Sequence, residues 1–261
     1  MNNGTSYSGT TVFLDSDLSL AGKTFEPIGY YSNHFRGVFD GQGHIVSNLI
    51  MTSSLEYVGL FGYSDGPATI KNVILDSSCS FTSSISSGNA YIGGIIGQCN
   101  INNGSCTIEN SVNMGSVTFS GDIGGKYNLY LGGIVGYLDS SSDHGITVKN
   151  CANYGGVTHS GERSFLSCIG GIVGYSDGSS AKGACIYNCL NHGTITHSGT
   201  TTEYLYLGGI AGYTRYTTIE NCVSGGKISL LTTASCNNCI GSVVGLLIQP
   251  YPSITSTSQV I

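Results

Sequence analysis

Charge is scarce in this sequence: only 9% of its 261 residues are Asp, Glu, Lys or Arg, against roughly 25% in an ordinary globular protein. Its surface must therefore be wetted by Ser, Thr, Asn and backbone groups. The 9 basic side chains are scattered singly among 15 acidic ones, for a net charge of −6. With no basic stripe to displace counterions, nucleic-acid binding is excluded. Proline is nearly missing too, with 4 residues beside 40 glycines. That ratio excludes collagen and Pro-rich linkers and calls for tight, repeated backbone turns. No apolar run approaches the roughly 20 residues that cross a bilayer, so no membrane span is expected. The opening Met1-Asn2-Asn3-Gly4-Thr5 lacks the basic and apolar regions of a signal peptide, so a processed segment or an unusual export route is expected. No stretch has a 3.6-residue period, which leaves strands and turns.

Present instead is a recurring glycine-rich apolar block. It reads Tyr57-Val58-Gly59-Leu60-Phe61-Gly62, then Tyr91-Ile92-Gly93-Gly94-Ile95-Ile96-Gly97, and returns from Tyr130, Cys168, Tyr206 and Cys239. Successive blocks begin 34, 39, 38, 38 and 33 residues apart, periods that signal a solenoid. A second block, an aliphatic residue followed two places later by asparagine, follows each of the first five. Its asparagines are Asn72, Asn110, Asn150, Asn188 and Asn221. In the last four repeats a glycine comes five residues after the asparagine (Gly115, Gly155, Gly193, Gly226), and a β-branched residue two further on. About three short strands per repeat are expected, separated by Gly, Asn and Ser turns.

One such unit has no means of burying its apolar face alone, whereas stacked units share a continuous core. The expected fold is all-β, a right-handed parallel β-helix of 33–39-residue repeats, with residues 1–56 forming a cap and first coils and 57–261 one continuous solenoid. In-register stacking sets like residues about 4.8 Å apart. The five asparagines would then form a structural ladder of amides in half-buried corners, in the αL conformation that Asn tolerates. The preceding residues, Lys71, Glu109 and Lys149 in the first three of these coils, bring opposite charges together in the same register.

The blocks resemble the GLUG repeats of bacterial and protist surface proteins, with Gly-Gly-Ile-Val-Gly-Tyr at 132–137 and 170–175 the nearest matches. The segment from Phe35 to Ile45 resembles the coil that often precedes such repeats. The likeness spans roughly residues 25–246 and departs at Ser242, which replaces the second glycine. It implies a β-helical stalk or passenger region, extracellular or at the cell surface, often adhesin-like. Such repeats also occur beside protease domains, but no His-Glu-x-x-His is present, so the resemblance carries no protease activity here.

Residues able to carry chemistry are few. Cys151, Cys189 and Cys222 share one register and read as stacked core thiols, since parallel neighbours stand farther apart than a disulfide prefers. Cys99 and Cys106 flank one loop and could close it, and Cys236-x-x-Cys239 lacks the second pair a zinc site needs. His159 and His197 fall one repeat apart, but Phe119 at the same place favours packing over metal binding. Asp65, Asp139 and Asp177 each follow Gly-Tyr-x and read as turn formers, with no clustering of acids on one face. Catalytic, cofactor and metal sites are therefore expected to be absent. The tyrosines offer the best surface: Tyr63, Tyr137, Tyr175 and Tyr213 in one row, Tyr57, Tyr91, Tyr130 and Tyr206 in another. Facing outward, either row, the first above all, would meet a glycan or protein ligand; stacked in the wall, both would only stabilise it. Asn3 and Asn103 head the only N-glycosylation sequons, to be used in a eukaryotic host. The sequence thus points to a non-enzymatic surface scaffold presenting a binding face. The alternatives are a filament subunit joined end to end through an apolar C-terminal coil, and a carbohydrate-active enzyme.

Overall fold

The computed structural model describes residues 5–29, 33–101, 104–140, 145–178, 183–232, 237–248 and the strand Gln259–Val260. The chain is a parallel β-helix. Each full coil carries five strands, not three. The coil opening at Asn128 runs Asn128–Gly132, Val135–Ser140, Ile146–Lys149, Ala152–Asn153 and Val157–His159. Like strands of successive coils pair in parallel to build five sheets of six, six, seven, eight and six strands, here numbered 1 to 5 in that order along the coil. The fourth strand has only two residues, too few to show an alternation, so the repeat pattern hid it.

The sequence markers are ladder partners. Tyr57 pairs with Tyr91, Tyr91 with Tyr130, Tyr130 with Cys168, Cys168 with Tyr206, and Tyr206 with Cys239. The alternate residue on each sheet 1 strand points into the core, so Val58, Ile92, Leu131, Ile169 and Leu207 form a column with 0% exposure. Ile70, Ile108, Val148 and Ile186 form a second column on sheet 3. Each such side chain contributes about 1.5–3 kcal/mol on burial, and stacking like on like makes that gain repeat every coil. Toward the N-terminus, Thr11–Phe13 and Val38–Asp40 join sheet 3, while Leu18–Ser19 and Ile45–Ser47 join sheet 4. Toward the other end packing thins: Leu231, Ile240 and Ile248 are 67%, 50% and 44% exposed. Among the described residues no helix is long and apolar enough to cross a membrane.

The corner between sheets 3 and 4 is set by asparagine. Asn72, Asn110, Asn150, Asn188 and Asn221 all adopt φ between 51° and 55°, the left-handed region that Asn enters more easily than other side-chain-bearing residues. Asn150 Nδ2 donates to Asn110 Oδ1 at 3.0 Å, and Asn188 Nδ2 to Asn150 Oδ1 at 3.2 Å. Asn72 donates to Asp40 Oδ1 at 2.8 Å instead, because the coil before it has glycine, Gly41, at that place. These corners are more open than expected: Asn72 is half-buried and the other four amides are exposed.

A second amide ladder lies inside. Asn113, Asn153 and Asn191 are fully buried, and each donates to the carbonyl two residues ahead (Gly115, Gly155, Gly193) at 2.9–3.1 Å. Asn113 Nδ2 also reaches Asn153 Oδ1 at 3.1 Å, and Asn153 Nδ2 reaches Asn191 Oδ1 at 2.9 Å. This ladder supplies partners to carbonyls at the turn leading to sheet 5, which would otherwise be desolvated without one. Its signal was an asparagine three places after the corner asparagine, visible only in the middle three repeats.

Cys151, Cys189 and Cys222 are buried free thiols, donating to the carbonyls of Lys149, Tyr187 and Glu220 at 3.3–3.4 Å. Cys99 and Cys106 are joined as a disulfide. Asn3, Asn103 and Cys236 lie outside the described residues.

Candidate functional site

The conspicuous outward feature is the corner between sheets 1 and 2, where the glycine-rich block turns the chain back on itself. A Cβ on Gly132 would overlap the Val135 carbonyl, and one on Gly136 would overlap the backbone of Ile92. Only glycine lets the outer faces of the two sheets close this far. The result is a cleft along the stacking direction, with glycine at its base and outward side chains on its two walls.

Both tyrosine rows stand on those walls, facing each other. On sheet 1, Tyr57 stacks on Tyr91 at 5.1 Å between ring centroids, and Tyr91 on Tyr130 at 5.2 Å. On sheet 2, Tyr137 stacks on Tyr175 at 5.0 Å and Tyr175 on Tyr213 at 4.5 Å. Across the cleft Tyr57 meets Tyr63 at 5.2 Å, Tyr130 meets Tyr137 at 4.9 Å, and Tyr206 meets Tyr213 at 5.6 Å. Offset and edge-on aromatic contacts at these separations contribute about 0.5–1.5 kcal/mol per pair beyond area burial. Wall packing and outward orientation thus coexist. Burial raises the phenol pKa of Tyr130, Tyr137 and Tyr175, so these hydroxyls stay protonated.

Tyr63 is turned away from solvent. It is 5% exposed, capped by His34 at 4.6 Å and by Tyr57. Tyr137, Tyr175 and Tyr213 are half-buried. The coil between Tyr63 and Tyr137 contributes Gln98, which occupies the same register. At Cys168 the sheet 1 row loses a ring, and Tyr175 leans across to Tyr130 at 5.2 Å.

The acids require a correction. Asp65, Asp139 and Asp177 are strand residues, not turn formers, and they do align on one face. Asp65, Asn100, Asp139, Asp177 and Arg215 are successive partners on sheet 2, two residues beyond the tyrosine row and therefore on the same side of the strand. Gly-Tyr-x-Asp held this signal, because Tyr and Asp two apart share a face. Arginines cap the row at both ends. Asp65 Oδ2 accepts from Arg36 at 3.1 Å and lies 3.2 Å from His34 Nδ1. Asp177 takes both Arg215 Nε and Nη2 at 2.7 Å, and this pairing raises the Arg215 pKa.

His159 and His197 sit elsewhere, inside sheet 5, at 0% exposure with Nδ1 atoms 2.8 Å apart. Phe119 precedes them at 5.5 Å and Leu230 follows in register. Desolvation, with the neighbouring imidazole, pulls the His159 pKa down to about 3, and desolvation pulls that of His197 down to about 4. They are neutral core residues. Among the described residues no group of three or more His, Cys, Asp or Glu is placed to hold a metal ion.

Comparison with known proteins identifies the GLUG motif at residues 203–229, the segment carrying the Tyr206 block and the Asn221 corner. No curated protein sequence matches the chain. Among solved structures, the chain is similar to a Bacteroides ovatus protein described as a putative immunoglobulin A1 protease. The likeness has a TM-score of 0.64 and 21% identity, and covers 96% of this chain and 72% of that one. At that identity it speaks to the β-helical fold alone.

Proposed function

We propose that this chain is a non-enzymatic, extracellular β-helical scaffold that presents the tyrosine cleft as an adhesin-like binding face for a glycan or protein on a cell surface. The observation that carries this reading is the convergence of two in-register tyrosine rows on one outward corner, beside a row of carboxylate, amide and guanidinium groups. Amphipathic rings with a polar rim are the chemistry of recognition surfaces. The carboxylates support the non-enzymatic reading through their partners. Asp65 and Asp177 are each committed to an arginine, whereas a general acid needs a carboxyl kept protonated and a nucleophile needs one facing substrate. Surface location rests on the GLUG motif and on the low-charge, Ser/Thr-rich exterior.

The test is adhesion of the purified chain, immobilised on beads, to host cells and to a glycan panel, scored beside turnover of neutral and acidic polysaccharides. Saturable binding without turnover supports the reading; absence of binding to every surface overturns it. Two other readings each have one observation. The carboxylate row favours a carbohydrate-active enzyme, which requires product release that Asp139→Asn abolishes. The exposed Leu231, Ile240 and Ile248 favour end-to-end assembly of copies into a filament, which requires a concentration-dependent rod in light scattering and electron microscopy.

A further inference from the structure

The cleft is not uniform along its length, and the difference assigns a ligand. In the coils that open at Ala90 and Asn128 the sheet 1 tyrosines are finished off internally. Asn89 Nδ2 lies 3.2 Å from the Tyr91 hydroxyl and Asn128 Nδ2 lies 3.0 Å from the Tyr130 hydroxyl, and Tyr130 is 7% exposed. In the next coils the place of Asn128 is taken by Leu166 and then Tyr204, neither able to cap a phenol in that way. Between Ser164 and Leu166 the pairing shifts by one, with the extra residue on the Tyr204 strand, and Phe165 there stands edge-on to Tyr204 at 5.9 Å, each residue 37% exposed. Tyr204 continues to Tyr206 at 6.3 Å, and Tyr206 to Tyr213 across the cleft. Arg215, two residues beyond Tyr213, then carries the surface to Asp177. Two exposed rings, Phe165 and Tyr204, therefore continue through the half-buried Tyr206 and Tyr213 from one lip of the cleft to an ion pair on the other.

We propose that this open segment, Phe165, Tyr204, Tyr206, Tyr213, Asp177 and Arg215, is a binding site for a neutral glycan, a proposal that rests on the binding-module reading above. The chemistry at the two lips differs in the way a pyranose does. A sugar ring has an apolar face of C–H groups and a rim of hydroxyls that both donate and accept. Phe165, Tyr204 and Tyr206 offer flat apolar area for the first. The Asp177–Arg215 pair serves the second. Of the carboxylate's roughly four lone-pair sites two are used by Arg215, and the guanidinium keeps three of its five N–H donors. Donor and acceptor thus lie side by side on one lip. The pair is self-neutralised, and Asp139 beside it adds negative charge in a chain of net charge −6. Sulfated or uronate glycans are repelled, and a neutral saccharide is not.

The experiment is isothermal titration and array binding of the full chain against neutral oligosaccharides, sulfated and uronate oligosaccharides, and Lys/Arg-rich peptides. Wild type should bind a neutral oligosaccharide, with negligible response to the anionic set. Tyr204→Ala and Phe165→Ala should each weaken that binding at least tenfold, and Arg215→Met should weaken it while leaving the melting temperature nearly unchanged. Tyr154→Ser, which removes a 50%-exposed ring stacked on His192 outside the cleft, is the control and should bind as wild type does. Near-UV circular dichroism of each variant separates lost folding from lost binding. Neutral-glycan binding that survives both ring removals overturns the site but leaves the binding-module reading standing. Binding to basic peptides or to anionic glycans only, or adhesion to cells with no glycan bound, overturns the ligand class while the module reading again stands. Failure to bind any surface or ligand overturns both.

Discussion

The sealed and open parts of one cleft are built from the same repeat, and the contrast shows how little sequence change separates a wall from a surface. Between Tyr57 and Tyr137 rings pack on both sides of a glycine floor, amides close over the phenols, and Gln98 and Asn100 fill the registers of Tyr and Asp. Between Cys168 and Arg215 three substitutions and one irregularity open it: a thiol for a ring, Leu166 and Tyr204 for the capping amides, and a shift of pairing beside Phe165. Outside that shift the backbone register is the same in both parts. Stability therefore belongs to the repeat, and the open surface to departures from it.

That contrast predicts unequal costs for the same mutation. Tyr130→Ala removes a 7%-exposed ring that touches Tyr91, Tyr137 and Tyr175 at 4.9–5.2 Å. About 3–5 kcal/mol of stability should be lost, as for other buried aromatics. Tyr206→Ala, in the open part, should cost about 1 kcal/mol. Chemical denaturation of both variants checks this, and equal losses would show that the two parts are equally packed.

Acid should act on the same coils from the inside. The folded-state pKa values of His159 and His197 lie at about 3 and about 4, below the ordinary value of 6.5. Protons therefore bind the unfolded chain first as pH falls. The pair's contribution is complete above pH 6.5, declines below it, and is spent once pH passes the folded values. The loss should reach about 2 kcal/mol per imidazole by pH 5. His159→Phe with His197→Leu, which copies Phe119 and Leu230 from the same ladder, should flatten the stability profile between pH 7 and 5. An unchanged slope would place the acid sensitivity elsewhere.

The two amide ladders sharpen the comparison further. Asn153→Ala breaks bonds to Asn113, Asn191 and the Gly155 carbonyl at 0% exposure, and should cost about 1–3 kcal/mol in unsatisfied partners. Asn150→Ala removes an exposed amide and keeps the φ of 52°, so its cost should stay near 1 kcal/mol, mostly from αL strain. Thermal melts in parallel decide it; a larger loss at Asn150 would reverse the order of importance.

The fold was legible because repetition is redundant. Six copies of the glycine block and five corner asparagines fix sheet order and register, and the ion pair Lys149–Glu109 at 2.7 Å falls where the alternating charges placed it. The site was less legible because its parts belong to different registers of that repeat. Asp65 and Asp177 read as turn residues because each precedes a glycine, a pairing found in turns as well as in strands; Tyr63 reads as equivalent to Tyr213 until His34, from the N-terminal coils, covers it. No periodic reading brings His34 or Arg36 to Asp65, since neither recurs. Phe165 and Tyr204 were invisible for a related reason: a bulge is a departure from register, and register was the only ruler.

The smallest expected effect is at the ion pair on the open lip. Arg215 and Asp177 have side chains 46% and 18% exposed, so their attraction is largely screened by water, and Arg215→Met should cost about 0.2–1 kcal/mol at low salt. One consequence distinguishes this from a structural role. The loss should shrink as ionic strength rises past the point where the screening length falls below about 10 Å. Asp65 at the sealed end has two partners, Arg36 and His34, around a side chain only 8% exposed, so removing one guanidinium there strands a far less hydrated charge. Denaturant titrations of Arg215→Met at two salt concentrations test the difference. A loss above about 2 kcal/mol that ignores salt would mean that the open lip is as firmly built as the sealed one.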